Sequence, residues 1–298
     1  MFGLFWSILV SEVAPPTYAG EVPRRKENQD VHLNLTVNTT LEDLAEAVAA
    51  ETLSGLIAAN EENRRFLIGV PAGRTLVPVF EVIEKELRAR PIALDRLTIV
   101  MMDDYVLANG HGGWAAPPST AHFSCRRFGE KLRTGLNSAV AGMPGIPESQ
   151  LWSPDPVDPS AYDRRIFEAG GIDLFFVAVG ASDCHVAFNP PGTAVDSRTR
   201  IIPLATTTRT DNLKTFPEFT SLEQVPTHGI TVGIATLADA RRLLMLAHGT
   251  SKGPAVKRLI EAGAFDSQWP ATFIYDHPNA SIQIDAAADS GLRIPQPV

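Results

Sequence analysis

The chain has 298 residues, a formal net charge of −8, 44% hydrophobic and 20% charged residues, and two cysteines. That length buries a substantial core, the ordinary composition argues against long disorder, and the acidic balance argues against nucleic acid or an anionic membrane as the main partner. An anionic small molecule stays open, because a few well-placed cations set a local field.

Met1 to Val10 is apolar but lacks a basic leader and is too short to span a bilayer, and Ala14–Gly20 breaks any helix there. Residues 1–28 read as an N-terminal extension packed on the domain or serving an interface, with a cleaved signal as the lesser alternative. Residues 29–298 read as one domain. Val31–Val37 alternates apolar and polar residues as a half-exposed strand does, and Thr40 with Asp43 opens a helix to about Ala59. A buried strand at Arg65–Val70 leads through Pro71-Ala72-Gly73-Arg74-Thr75 into a helix ending near Arg88. Leu97–Met101 is the next strand, closing on Asp103-Asp104-Tyr105. Ala108–Ser119 is a Gly/Pro-rich loop, followed by a basic helix around Arg126–Arg133.

Ile172–Gly180 is an apolar run of strand length closed by a glycine, and Asp183-Cys184-His185-Val186-Ala187-Phe188-Asn189 follows directly. Arg200–Ile202 reads as a strand and Thr206–Asp211 as a short helix or lid carrying Arg209, with Lys214 close behind. Ile230–Ile234 and Leu243–Ala247 are further strands, Ser251 caps a helix to Ala262, and Ser281–Asp285 closes the set. This alternation predicts an α/β fold: a mainly parallel, doubly wound, Rossmann-like sheet with helices on both faces. In such sheets ligands bind beyond the carboxyl ends of the strands.

The chemistry-bearing residues fall at those ends. Gly73 and Thr75 sit where backbone N–H groups at a helix start receive a phosphate, although the spacing of a nucleotide-binding P-loop is absent. Lys252, after the His248-Gly249-Thr250 turn, projects from the same edge. Asp103 and Asp104 are either a helix cap or a loop ion pair, or they include a desolvated general base that moves a proton between neighbouring carbons. His185, two residues after Asp183, reads as catalytic over the alternative of a structural histidine. Cys125 and Cys184 read as reduced thiols of a cytoplasmic protein, a reactive Cys184 being the lesser alternative. The remaining histidines have no metal-ligand spacing.

Taken together, Gly69–Thr75, Met102–Val106, Gly171–Phe175, Asp183–Asn189, Ser197–Ile201 and Thr231–Leu237 resemble the glucosamine-6-phosphate deaminase/6-phosphogluconolactonase group, from about Asp30 to Asp285. The His-Val-Ala-Phe-Asn and Ser-Arg-Thr-Arg segments are more similar to the deaminase branch. The resemblance implies Asp103 as the base that moves a proton between C2 and C1, and His185, held by Asp183, as the assistant to ring opening. It implies Gly73, Thr75 and Lys252 at the 6-phosphate, with Lys214 where the deaminases usually place an arginine. Arg74 fills a small-residue place in that loop, where it adds a cation or narrows the site. A small-molecule sugar phosphate, no metal or organic cofactor, and a homo-oligomer are implied too. Two departures stand out: Pro190 occupies the place of a glutamate that supports the histidine, and Cys184 that of a glycine. The implied activity is isomerisation with deamination of an amino-sugar 6-phosphate to a ketose 6-phosphate and ammonia. A sugar-phosphate lactonase, a non-deaminating isomerase and a non-catalytic sugar-phosphate sensor are the alternatives.

Overall fold

The computed structural model describes residues 34–290. The expected N-terminal extension lies outside them, as do the first three residues of the strand expected from Val31. That strand is seen as β1, Leu35–Asn38. Helix α1, Leu41–Glu61, starts where expected, because Thr40 and Asp43 form a reciprocal capping box. Its apolar face, from Leu44 through Val48 and Leu56 to Ala59, is buried at helical spacing.

Six further strands join β1 in the main sheet: β2 Phe66–Val70, β3 Leu97–Met101, then Leu151–Trp152, Leu174–Ala178, Leu243–Ala247 and Ala280–Asp285. Between the early and late members run β4, Asp103–Ala108, and β5, Trp114–Ala115. Leu151–Trp152 is thus β6 and Leu174–Ala178 is β7. After β8, Arg200–Pro203, and β9, His228–Thr231, Leu243–Ala247 is β10 and Ala280–Asp285 is β11. The main sheet has the order β1-β11-β10-β7-β2-β3-β6, and every neighbouring pair is parallel.

Strand alternation divides the core into two layers. Phe66, Ile68 and Val70 of β2 pack with α1, α2 (Val77–Ala89) and α3 (Cys125–Ala139). On the opposite face, Leu67 packs with residues of α4 (Pro159–Glu168), α6 (Ile234–Ala238) and α7 (Gly253–Ala262). The remaining helices are α5, Thr206–Thr215, and α8, Ala286–Ser290. The doubly wound architecture is therefore as expected. Helix α4 was not anticipated, although Asp158 at its N-cap followed by Pro159 is a recognisable helix start.

Three expectations need correction. Arg200–Ile202 and Ile230–Ile234 are not members of the parallel sheet: β8 and β9 belong to a separate antiparallel sheet ordered β5-β4-β9-β8. Short apolar runs carry no record of which strand they pair with. The second of these strands also ends early, at Thr231, because Gly233 passes so close to the Ser197 backbone that a Cβ there would lie 2.0 Å from its carbonyl oxygen, and α6 begins at Ile234. Finally, Ser251 does not cap α7. A 3₁₀ turn over Thr250–Lys252 feeds the helix, and no side chain caps it.

Only Met102 separates β3 from β4. Its N–H donates to Val70 and its carbonyl accepts from Val232, so this one residue stitches the two sheets together.

Candidate active site

The strand order reverses between β2 and β7, the switch point at which open α/β sheets place their ligands. The loops after β2, β3, β7 and β10 all open on that one edge, because the four strands are parallel. They carry Gly73–Thr75, Asp183–His185 and Lys252, while Asp103 opens β4 directly after the one-residue break that follows β3.

The two adjacent acids prove to have different work. Asp104 accepts from Ser124 Oγ and from the backbone N–H groups of Tyr105, Cys125 and Arg126, at 2.8–3.3 Å. It is the anchor of the α3 N-terminus, where an anion also meets the positive end of the helix dipole. Burial raises its pKa, against the pull of these donors. Asp103 is only 5% exposed, and its side chain meets a single thiol donor, Cys125. Burial beside the Met102 junction, reinforced by the charge of Asp104, pushes Asp103 up to about 7 despite that hydrogen bond. A carboxylate poised there suits a base that takes and returns a proton. The Cys125 thiol thus stands beside Asp103, a contact that spacing had not revealed because the two lie 22 residues apart. Cys125→Ala removes the donor that favours ionised Asp103, so the acid limb of the kcat/KM–pH profile is expected to move up from about 7 by a fraction of a unit. An unmoved limb would show that the thiol does not tune the carboxylate.

Beyond β7 the chain doubles back tightly. The N–H of Gly180 donates to the His185 carbonyl at 2.8 Å, and Cys184 and Ala187 both take left-handed backbone conformations with φ 51°. For an L-residue such a conformation costs about 1 kcal/mol, which accounts for the glycine that the resembling family uses in the place of Cys184. The Cys184 thiol is buried, and burial pushes it up to about 11, so it is a poor nucleophile. Gly180 lies directly beneath the His185 ring, where a Cβ would stand 2.2 Å from Nδ1. That ring bonds to Asp183 Oδ1 at 2.6 Å, and the His185 N–H donates to the same oxygen at 3.1 Å. Burial disfavours the Asp183 carboxylate, but its bonds to His185 and to Thr207 outweigh this and hold it well below the usual carboxylate range. An ionised Asp183 fixes the ring proton on Nδ1 and leaves Nε2 free to exchange protons with a substrate.

Gly73, with φ 123°, turns the chain from β2 into a 3₁₀ turn over Arg74–Leu76 ahead of α2. No Cβ obstacle lies within 4 Å of Gly73, so a ligand can approach its backbone closely. Arg74 is exposed and Thr75 half-buried. The Thr75 carbonyl lies 3.3 Å from His248 Nε2, which ties the β2 loop to the β10 turn. Lys252 donates to the Val179 carbonyl at 2.6 Å, and its burial lowers the ammonium pKa. Lys214 is not drawn into this group: its side chain is 76% exposed, and its nearest acid is Asp211 at 3.9 Å. Arg209 is committed elsewhere, donating to the carbonyls of Leu222 and Val225. Among the described residues no three His, Cys, Asp or Glu side chains converge as a metal site.

The family described as glucosamine-6-phosphate isomerases/6-phosphogluconolactonase matches residues 39–283. The chain belongs to this family. It is 32% identical over 254 residues to the glucosamine-6-phosphate deaminase of Mycolicibacterium smegmatis, covering 83% of this chain and 88% of that protein. The deaminase of Streptomyces avermitilis is 34% identical over 246 residues, covering 82% and 87%. Among solved structures, a monomeric glucosamine-6-phosphate deaminase superposes with a TM-score of 0.72 at 23% identity, over 88% of this chain and all of that one. The 6-phosphogluconolactonase of Trypanosoma cruzi gives 0.62 at 14% identity, over 90% of this chain and all of that one. Both superpositions speak to the fold, which this family member shares with each branch.

Proposed function

We propose that the protein isomerises and deaminates an amino-sugar 6-phosphate, glucosamine 6-phosphate first among them, releasing a ketose 6-phosphate and ammonia. The relatives at 32–34% identity carry the deaminase name, and the observation in this chain that supports it most is Asp103. A buried carboxylate poised near pH 7 at a sheet edge suits proton transfer between C2 and C1, a step that opening a lactone does not contain.

In this reading the Gly73–Thr75 turn and Lys252 take the 6-phosphate, with Arg74 at its rim. Lys214 can swing in, because an exposed ion pair such as the one with Asp211 is worth at most about 1 kcal/mol. His185, through Nε2, carries the anomeric hydroxyl proton to the ring oxygen and opens the sugar. Asp103 removes the C2 proton and delivers it to C1 while a proton passes from the C2 nitrogen to the C1 oxygen, so that the C2 amine becomes an imine and the aldehyde an alcohol. Water adds to that imine, and ammonia leaves with the ketose formed at C2. We further propose that residues 29–298 act as one domain, that the protein assembles as a homo-oligomer, and that it works in the cytoplasm.

The decisive experiment is an ammonia-release assay on glucosamine 6-phosphate and galactosamine 6-phosphate, with 6-phosphogluconolactone hydrolysis run in parallel. Ammonia from either sugar supports the reading; lactone hydrolysis without ammonia would replace it with the lactonase. In the same assay Lys252→Ala is expected to raise KM about 10- to 100-fold with little change in kcat, the size of a lost charge-assisted bond to phosphate. A KM within twofold of wild type would remove Lys252 from the phosphate site.

A further inference from the structure

The Asp183 carboxylate is held at both ends. Oδ1 takes the His185 ring at 2.6 Å, and Oδ2 accepts the hydroxyl of Thr207 at 2.6 Å. Thr207 is carried by α5, a separate element 24 residues away. Four residues on, and so on the same face of α5, Asp211 accepts the hydroxyl of Ser182 at 3.2 Å. The two contacts are reciprocal: the helix gives a hydroxyl to the acid of the loop, and the loop gives a hydroxyl to the acid of the helix. Arg209 fixes α5 from its other side by bonding the Leu222 and Val225 carbonyls. Among the described residues Asp183 is the one carboxylate bonded to the His185 ring, and Pro190 offers neither a carboxylate nor an N–H.

We infer that Thr207 is a positioning residue for His185: its bond to Asp183 Oδ2 sets the plane of the carboxylate, and the carboxylate sets the tautomer and aim of the ring. With one oxygen bonded to the ring alone, the carboxyl group could turn about its Cβ–Cγ bond and loosen its grip on Nδ1. A second, short bond on the other oxygen removes that freedom, as partners behind a catalytic or metal-bound histidine do elsewhere. The placement of α5 thereby reaches the ring, and the exposed hydroxyl of Thr207 is the point of transmission. The catalytic part of this inference rests on the ring-opening role proposed for His185; the structural part does not.

Thr207→Val keeps the shape of the side chain and deletes the donor, and Thr207→Ser restores the donor on a smaller side chain. In the ammonia assay Thr207→Val is expected to lower kcat about tenfold, the scale of one hydrogen bond to a charged group, with KM within twofold of wild type. Thr207→Ser should recover most of the loss. A second measurement needs no substrate. The proton of a short imidazole–carboxylate bond gives a far-downfield NMR signal, identified here by its disappearance in Asp183→Asn. In Thr207→Val that signal should shift or broaden by exchange, and in Thr207→Ser it should return. An unmoved signal overturns the inference, whether or not thermal unfolding shows that Thr207→Val is less stable. So does a kcat equal to wild type in Thr207→Val. If wild type releases no ammonia, the proposed activity fails by itself, and the NMR signal still decides whether Thr207 holds the pair.

Discussion

Asp103→Asn should reduce ammonia release by about 10²- to 10⁴-fold while leaving KM for the sugar phosphate nearly unchanged, the range expected when a general base is removed. The same substitution should make the protein more stable above neutral pH. The folded-state pKa of Asp103 is about 7, against an ordinary value of 3.8. Between those values the folded protein holds a proton that the unfolded chain has lost, so stability falls as pH rises through this window and levels off above about 7. Three pH units correspond to a cost of at most about 4 kcal/mol, which an uncharged asparagine does not incur. Urea unfolding of both proteins at pH 5 and pH 8 would show it: a gain for the mutant at pH 8 that shrinks at pH 5. The base must be ionised to work, so wild-type kcat/KM should climb as pH rises through about 7. A mutant that keeps its turnover would dismiss Asp103 as the base, and equal stabilities at pH 8 would mean that the carboxylate is not desolvated as its burial indicates.

The second large effect belongs to the Asp183–His185 pair. His185→Gln should lower kcat by about 10²- to 10³-fold, because glutamine accepts and donates hydrogen bonds but carries no proton between oxygens. Asp183→Asn should approach the same loss for a different reason. An amide turned to donate to Nδ1 would move the ring proton to Nε2, the wrong nitrogen for taking one from the substrate. The double variant should be little worse than either single one, since both disable one unit. Steady-state kinetics on the three variants settle it. Losses that multiply would mean that the two residues act separately, and a rise in KM at constant kcat would assign them to binding instead.

Much of this arrangement was legible in the chain. The buried strands at Phe66–Val70, Leu97–Met101 and Leu243–Ala247 are continuous apolar runs, and the Thr40/Asp43 box marks the start of α1 by chemistry that acts over three residues. Asp183 and His185 could be paired on the page because two residues of separation suffice for their contact. What stayed hidden depends on distance along the chain. The β4–β9 pairing joins Asp103 to Thr231, Cys125 and Thr207 reach their carboxylates from other elements, and His248 meets the Thr75 carbonyl across 173 residues. Periodicity reports which face of an element is buried and is silent about its partner. Lys214 shows the converse: the family's pattern gave it a place, and its side chain stands in solvent beside Asp211.

Asp103 and Asp104 are consecutive residues of β4, paired with Thr231 and Ile230 of β9. Successive strand residues face opposite ways, so neither acid can substitute for the other. Asp104 accepts the backbone N–H groups of the first turn of α3, and Asp103 meets that helix only through the Cys125 thiol. Deleting a residue at the Met102 junction would keep both carboxylates in the chain but carry Asp104 into the register position of Asp103 and leave the N–H groups of α3 without their anchor. Length at this point therefore matters beside side-chain identity, and a gap there in a relative would mark lost activity just as replacement of Asp103 would.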